Sequence, residues 1–158
     1  MIDRQAVIDI QKFDHIGIRI RDKERPVSFY EDLGFELVVD TGFEKGHPIM
    51  LRHPCGVVLN LLGPSTEEKD ENVLMDIEAR FSGITYMALK VGSLADTVAN
   101  LTSQGIEFTG RFSFKDMNAV FIRDPDRNVI EFDENPGDDP ASRLISPGDE
   151  IDAYNAYP

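Results

Sequence analysis

The sequence predicts an α+β protein built from two tandem βαβββ modules. Three observations carry that expectation. Landmarks recur at a constant offset of 71: Gly34 with Gly105, Arg52 with Arg123, Pro54 with Pro125 and Val58 with Val129. Unrelated segments would need insertions to hold such a register, so a structural duplication is the economical reading. Each copy also opens on an alternating stretch, FDHIGIRI at 13–20 and ITYMALKV at 84–91. Each then passes through a helical stripe that stops at a glycine. The length of 158 residues suits one domain, or two small halves sharing a core.

The elements follow in order. In the first strand of each copy, Ile16, Ile18 and Ile20, or Met87, Leu89 and Val91, fall on alternate positions, the period of a half-buried strand. Asp22 and Ser93 are the expected helix N-caps, and Asp96 three residues beyond Ser93 makes a variant of the capping box. Val27, Tyr30 and Leu33 form one apolar helical stripe, and Leu94, Val98 and Leu101 the other. Gly34 and Gly105 supply the left-handed stop. Three strand-like runs follow in each copy: FELVVD, PIMLRH and VVLNLL, then IEFTG, AVFIRD and VIEFDE. HPCG and DPDRN carry the Pro and Asp chemistry of tight turns between the last two strands. The expected organisation is an extension at 1–12, module one at 13–63, a linker at 64–83, module two at 84–134 and a tail at 135–158.

Composition bounds the function. Sixteen Lys+Arg against twenty-nine Asp+Glu give a net charge of −13. Nucleic acids and anionic membranes are bound through Lys/Arg-rich surfaces, so neither is an expected partner. The acid concentrates in PSTEEKDEN and DENPGDDP, which read as solvated linker and tail. No apolar run is long enough to span a bilayer. The opening MIDRQAVIDIQKF lacks the apolar stretch of a secretory signal. The single cysteine, Cys55, excludes an intramolecular disulfide, and a cytoplasmic location is expected.

Period-two alternation also sorts the sheet faces. With Ile16, Ile18 and Ile20 covering the helix, His15, Gly17 and Arg19 point the other way. Tyr86, Ala88 and Lys90 do the same in the second copy. In the closing strands, Val58, Asn60 and Leu62, and likewise Val129, Glu131 and Asp133, leave the helix side. His15 and Tyr86 are therefore repeat partners, as are Asn60 and Glu131. Four polar side chains at repeat-related positions on the non-helix faces suggest a shared site.

Over residues 13–134 the chain resembles the vicinal-oxygen-chelate superfamily, which includes glyoxalase I, bleomycin-resistance proteins, fosfomycin-modifying enzymes and extradiol dioxygenases. The most specific pieces are FDHIGIRI followed by SFYEDLGFELV, and VFIRDPDRNVIEFDE. The resemblance implies that the two mixed sheets curl into a cup. It also implies a divalent metal (Zn, Ni, Mn or Fe), with His15, Asn60, Tyr86 and Glu131 at the ligand positions. Of these, His15 and Glu131 are good metal ligands. Asn60 stands where a glyoxalase-like site has a carboxylate or Gln, and Tyr86 where it has a His. Neutral Tyr, with a pKa of about 10, is a poor ligand. Asn60 and Tyr86 are accordingly read as substrate contacts, with filling as the other reading of Tyr86. Arg127 stands where the family often has Gly, a variation of the turn.

What the resemblance implies is a glyoxalase-like, lactoylglutathione lyase-type enzyme acting on a small carbonyl or vicinal-oxygen substrate. The metal would take two substrate oxygens and stabilise an enediolate or related anion. Glu131 would serve as ligand and then as catalytic base. Two alternatives stay open. An extradiol-type dioxygenase needs a second His, absent from its aligned place. A non-catalytic, bleomycin-resistance-like binding protein would account for the altered ligand positions.

The remaining candidates have plainer readings. Glu131 could instead be a solvated strand residue or pair with Arg19 or Lys90. His47, before Pro48, reads as a loop residue. His53 lies where the other copy has Asp124 and reaches a site only if its loop bends inward. Cys55 lacks an orienting third residue and reads as an unreactive turn cysteine. Arg52 and Arg123 read as edge-strand salt-bridge residues, with a pair of anion clamps as the alternative. Residues 1–12 are expected to form a short helix contacting through Val7, Ile8 and Ile10, and 64–82 to line the cup's rim. Unpaired sheet edge and apolar surface suggest a homodimer.

Overall fold

Ile18, Ile20, Leu59 and Leu61 are buried, and the residues between them are not. That alternation is what lets a strand cover a core with one face. The computed structural model describes residues 8–67, 70–114 and 116–138. In the first module β1 (Ile16–Arg19), β2 (Glu36–Asp40), β3 (Ile49–Arg52) and β4 (Val58–Leu62) form a sheet in the order β1-β4-β3-β2. β1 is parallel to β4, with Ile16 opposite Leu59, Gly17 opposite Asn60 and Ile18 opposite Leu61. The other pairs are antiparallel. A parallel pair cannot be closed by a hairpin. Here α1 (Glu24–Asp32), β2 and β3 intervene.

The second module repeats this plan. β5 (Met87–Lys90), β6 (Gly110–Phe114), β7 (Met117–Arg123) and β8 (Val129–Glu134) take the order β5-β8-β7-β6, with α2 (Leu94–Ser103) after β5. β5 is parallel to β8, and Glu131 sits opposite Ala88. The chain is therefore α+β, with two tandem βαβββ modules, and it divides into two compact units at residues 68/69.

Both helices end as expected. Gly34 has φ +93° and Gly105 φ +73°. The next residue's N–H then turns back into the helix, Phe35 to Tyr30 O and Ile106 to Leu101 O, each at 3.0 Å. Tyr30 anchors α1 in the first core, where rings stand edge to face at 5.2 Å from Phe29 and 5.6 Å from Phe35. Each such fully buried large apolar side chain contributes about 1.5–3 kcal/mol.

Several expectations are corrected. Of IEFTG only Gly110 is in a strand, because Ile106 is engaged in closing α2; pairing begins with Thr109 N–H to Phe121 O, and β6 starts at Gly110. In α1 the residue at the helix boundary is Lys23, which makes no side-chain cap, whereas Asp22 Oδ1 still accepts from Arg25 N–H at 3.2 Å. Ser93 Oγ caps α2 by accepting from Asp96 N–H at 3.1 Å, and Glu134 Oε2 accepts from Leu94 N–H at 2.5 Å. Residues 8–12 are not helical, and Ile8 and Ile10 are exposed. Val7 and the tail beyond residue 138 lie outside the described residues. Arg52 and Arg123 are not on edge strands, since β3 and β7 are both internal to their sheets.

Candidate functional site

The first module presents two of the four candidate residues. His15 lies one residue before β1. Its side chain is 44 % exposed, and Nδ1–H donates to Asp14 Oδ2 at 2.8 Å. A carboxylate only accepts, so this bond places the ring proton on Nδ1 and leaves Nε2 as the free lone pair. His15 and Lys12 together hold the Asp14 carboxyl below its usual range. Asn60 lies mid-β4 between Gly17 and Met50. Its Oδ1 is buried without a hydrogen-bond partner among the described residues.

The second module presents the other two in different surroundings. Glu131 is only 5 % exposed, although alternation points it away from α2. Its neighbour Asp133 is 3 % exposed and accepts from Asn135 Nδ2. On this face Ala119, Phe121 and Val129 form a buried apolar cluster, against which Tyr86, Phe112 and Met75 pack. Tyr86 precedes β5 and meets Phe121 edge to face at 5.9 Å. Lys90, the proposed salt-bridge partner of Glu131, instead donates to Gly137 O at 2.7 Å and pairs with Asp138 at 3.1 Å.

Met75 reaches that cluster because its segment is fastened down. Arg123 Nη2 meets Asp76 Oδ1 at 2.6 Å, Arg123 Nη1 donates to Thr109 Oγ1 at 2.6 Å, and Asn72 Nδ2 donates to Arg127 O at 3.0 Å. Burial by itself would raise the Asp76 carboxyl; the hydrogen bonds from Arg123 and Asn72 N–H, with the nearby Arg123 and Arg127 charges, outweigh it and hold the group below its usual range. Arg123 is thus a structural clamp. Sequence reading missed Met75 and Asp76, which sit in a stretch whose only signal is acidity.

The other candidates have structural tasks. His47 is exposed in the loop before β3. His53 Nδ1 accepts from Cys55 N–H at 3.1 Å while its ring packs on Phe35 at 5.2 Å. Cys55 is an exposed turn residue. Arg127 adopts φ +67°, the left-handed conformation a glycine would take more cheaply.

The first module offers one imidazole, His15, and the neutral Asn60 oxygen, and the second one carboxylate, Glu131. Among the described residues no three His, Cys, Asp or Glu side chains gather in one group. Catalytic metal sites commonly use three protein ligands and leave one position open. His15 and Glu131 are by themselves one ligand short of that number. No described helix is long and apolar enough to cross a membrane.

The comparisons agree on kinship. A glyoxalase/dioxygenase from Nostoc punctiforme shares 21% identity, covering 85% of this chain and 97% of its own, at a TM-score of 0.67. A glyoxalase family protein from Enterococcus faecalis shares 23%, over 78% and 98% of the two chains, at 0.63. A lactoylglutathione lyase from Agrobacterium tumefaciens shares 17%, over 79% and 94%, at 0.58. These likenesses show the fold. None of the curated proteins matches the chain. The sequence pattern of the glyoxalase/bleomycin resistance protein/dioxygenase superfamily matches residues 12–132, and the chain belongs to that superfamily.

Proposed function

We propose that this chain is a glyoxalase-like, metal-dependent enzyme acting on a small carbonyl or vicinal-oxygen substrate, a class that includes lactoylglutathione lyase-type reactions. The observation that carries the reading is Glu131, a carboxylate buried to 5 % exposure on the face that holds Phe121 and Val129. A carboxylate held on a largely apolar face is a candidate for a chemical role. His15 adds an imidazole whose free nitrogen is set by Asp14.

In this proposal His15 and Glu131, one from each module, would serve as ligands to a divalent metal. When bound, such an ion supplies Lewis-acid polarisation of a substrate carbonyl. The Asp14 carboxylate keeps the His15 ring in its ligand tautomer. Glu131 takes the proton from the carbon beside the carbonyl, on a face where Phe121 and its neighbours restrict water. Asn60 and Tyr86 contact the substrate. Elemental analysis tests this. Purified protein should carry about one transition metal ion per chain, and both His15→Ala and Glu131→Gln should lower that content at least tenfold, consistent with loss of one of two protein ligands. Unchanged metal content in either variant overturns the proposal.

A second reading, a non-catalytic binding protein, is favoured by the packing of Tyr86 on Phe121 at a ligand position. Metal-free protein that binds an aromatic compound saturably would establish it.

A further inference from the structure

Glu131 is 5 % exposed, so a molecule arriving from solution meets almost none of it until a covering side chain moves. Directly across the sheet stands Phe121, which with Ala119 and Val129 forms a cluster in which no residue is more than 3 % exposed. Three half-buried side chains pack against that cluster: Met75, Tyr86 and Phe112. Phe112 is part of β6, and Tyr86 leads straight into β5 with its ring edge to face on Phe121. Displacing either disturbs the sheet. Of the three, Met75 comes from outside it, in a segment that belongs to the same compact unit.

The backbone beneath Met75 is fixed. Met75 N–H and Asp76 N–H both donate to Asn72 O, at 3.2 and 2.7 Å, and Asn72 N–H donates to Asp76 Oδ2 at 2.8 Å. Asn72 Oδ1 accepts from Leu74 N–H at 2.9 Å, which closes residues 72–76 into one turn. The Asp76–Arg123 pair and the bond from Asn72 Nδ2 to Arg127 O fasten that turn to the end of β7 and the loop after it. Leu74 lies against Gly83, where a Cβ would come within 2.9 Å of Leu74 Cδ1. With the turn held so firmly, the side chain is the part able to yield. Methionine is unbranched and has three rotatable bonds, so its thioether can leave the cluster while the turn stays in place.

We infer that Met75 is a side-chain gate: it swings off Phe121 and its neighbours to admit a small molecule to the face that holds Glu131, and closes that face when the molecule leaves. This rests on the reading of that face as a small-molecule site and does not depend on the metal. The fastened turn sets where the gate hangs, and the flexible thioether opens it. The closed state competes with the ligand, so the apparent affinity is reduced by the fraction of molecules that are open.

The probe is benzene, added to the full-length protein labelled at its methionine and alanine methyl groups. Wild-type protein is expected to bind it saturably, with the Met75 methyl resonance moving toward that of a solvent-exposed methionine and the Ala119 methyl responding in step. Met75→Ala, which has nothing to displace, should bind at least about tenfold more tightly. Met75→Leu keeps the cover but has fewer torsions with which to retract, and should bind at least about threefold more weakly than the wild type. A wild type that takes up no benzene, or takes it up with the Met75 methyl unmoved, overturns the gate and makes Met75 ordinary packing. Equal or tighter binding by Met75→Leu also overturns it, and this variant decides the matter should Met75→Ala fail to fold. Metal content in His15→Ala and Glu131→Gln decides the enzyme reading separately.

Discussion

Arg52 and Arg123 occupy the same place in the repeat, on β3 and β7, and meet opposite fates. Arg123 is buried, 3 % exposed at its side chain, and paired with Asp76 at 15 %. Arg52 is exposed, with no ion pair among the described residues. The difference extends across the sheets. In β4 buried and half-buried residues alternate, whereas five consecutive residues of β8 are buried, from Val129 to Asp133. The second module covers its non-helix face with Met75, Tyr86 and Phe112; at the equivalent of Tyr86, the first has the exposed His15. Duplicated scaffolds can therefore diverge by what is laid over them, with strand order and register left alone.

The sharpest way to break the comparison is at those two arginines. Arg123→Ala should destabilise the protein by about 3–5 kcal/mol, because it strands a largely buried carboxylate. Arg52→Ala should stay within about 0.5 kcal/mol. Urea unfolding of both variants checks the contrast, and equal losses would show that Arg52 has an unrecognised task. The pH dependence follows the same logic. Asp76 has its carboxyl held below the ordinary value of 3.8, so its stabilising contribution is complete above that value and disappears as pH falls through the lowered one. Arg123→Ala should lose this acid-sensitive component.

A smaller effect is expected at Gly63, the repeat partner of Glu134. A Cβ at 63 would lie 2.2 Å from Phe43 Cζ and 2.9 Å from Ile20 O. Gly63→Ala should therefore cost about 1–3 kcal/mol, read as a lower melting temperature. The second module places a full glutamate at this position and uses it on the N-terminus of α2. An unchanged melting temperature would show that Phe43 moves aside freely.

The smallest effect concerns the helix starts. Ser93→Ala should cost about 1 kcal/mol, the usual loss of a serine cap. Asp22→Ala should cost less in the cap itself, because the acceptor stands one position farther out and its bond to Arg25 N–H is longer. Thermal unfolding of the two variants ranks the caps, and the reverse order would refute the assignment.

The turn between the last two strands shows how far the repeat could be read. His53 Nδ1 accepts from Cys55 N–H, and Asp124 Oδ1 accepts from Asp126 N–H at 2.9 Å, the same bond at the same offset made by different chemistry. The repeat pairs His53 with Asp124 but says only that the histidine reaches a site if its loop bends inward. Only the coordinates show an imidazole organising a turn. Similarly, Tyr86 could be placed on the correct face without revealing that it would pack on Phe121.

By itself the sequence determined the two βαβββ modules, the inward face of the opening and closing strands, both helix stops and the superfamily. Those properties depend on interactions between near neighbours: alternation, a glycine at positive φ, a capping side chain, a tight turn. Tertiary structure alone decided that Glu131 and Asp133 are buried on the face away from the helix, that Asp76 fastens a distant segment to Arg123, and that the Asn60 oxygen is shut in without a donor among the described residues. Period-two alternation says which way a side chain points. What arrives to cover it comes from elsewhere in the chain, and no local pattern records that arrival.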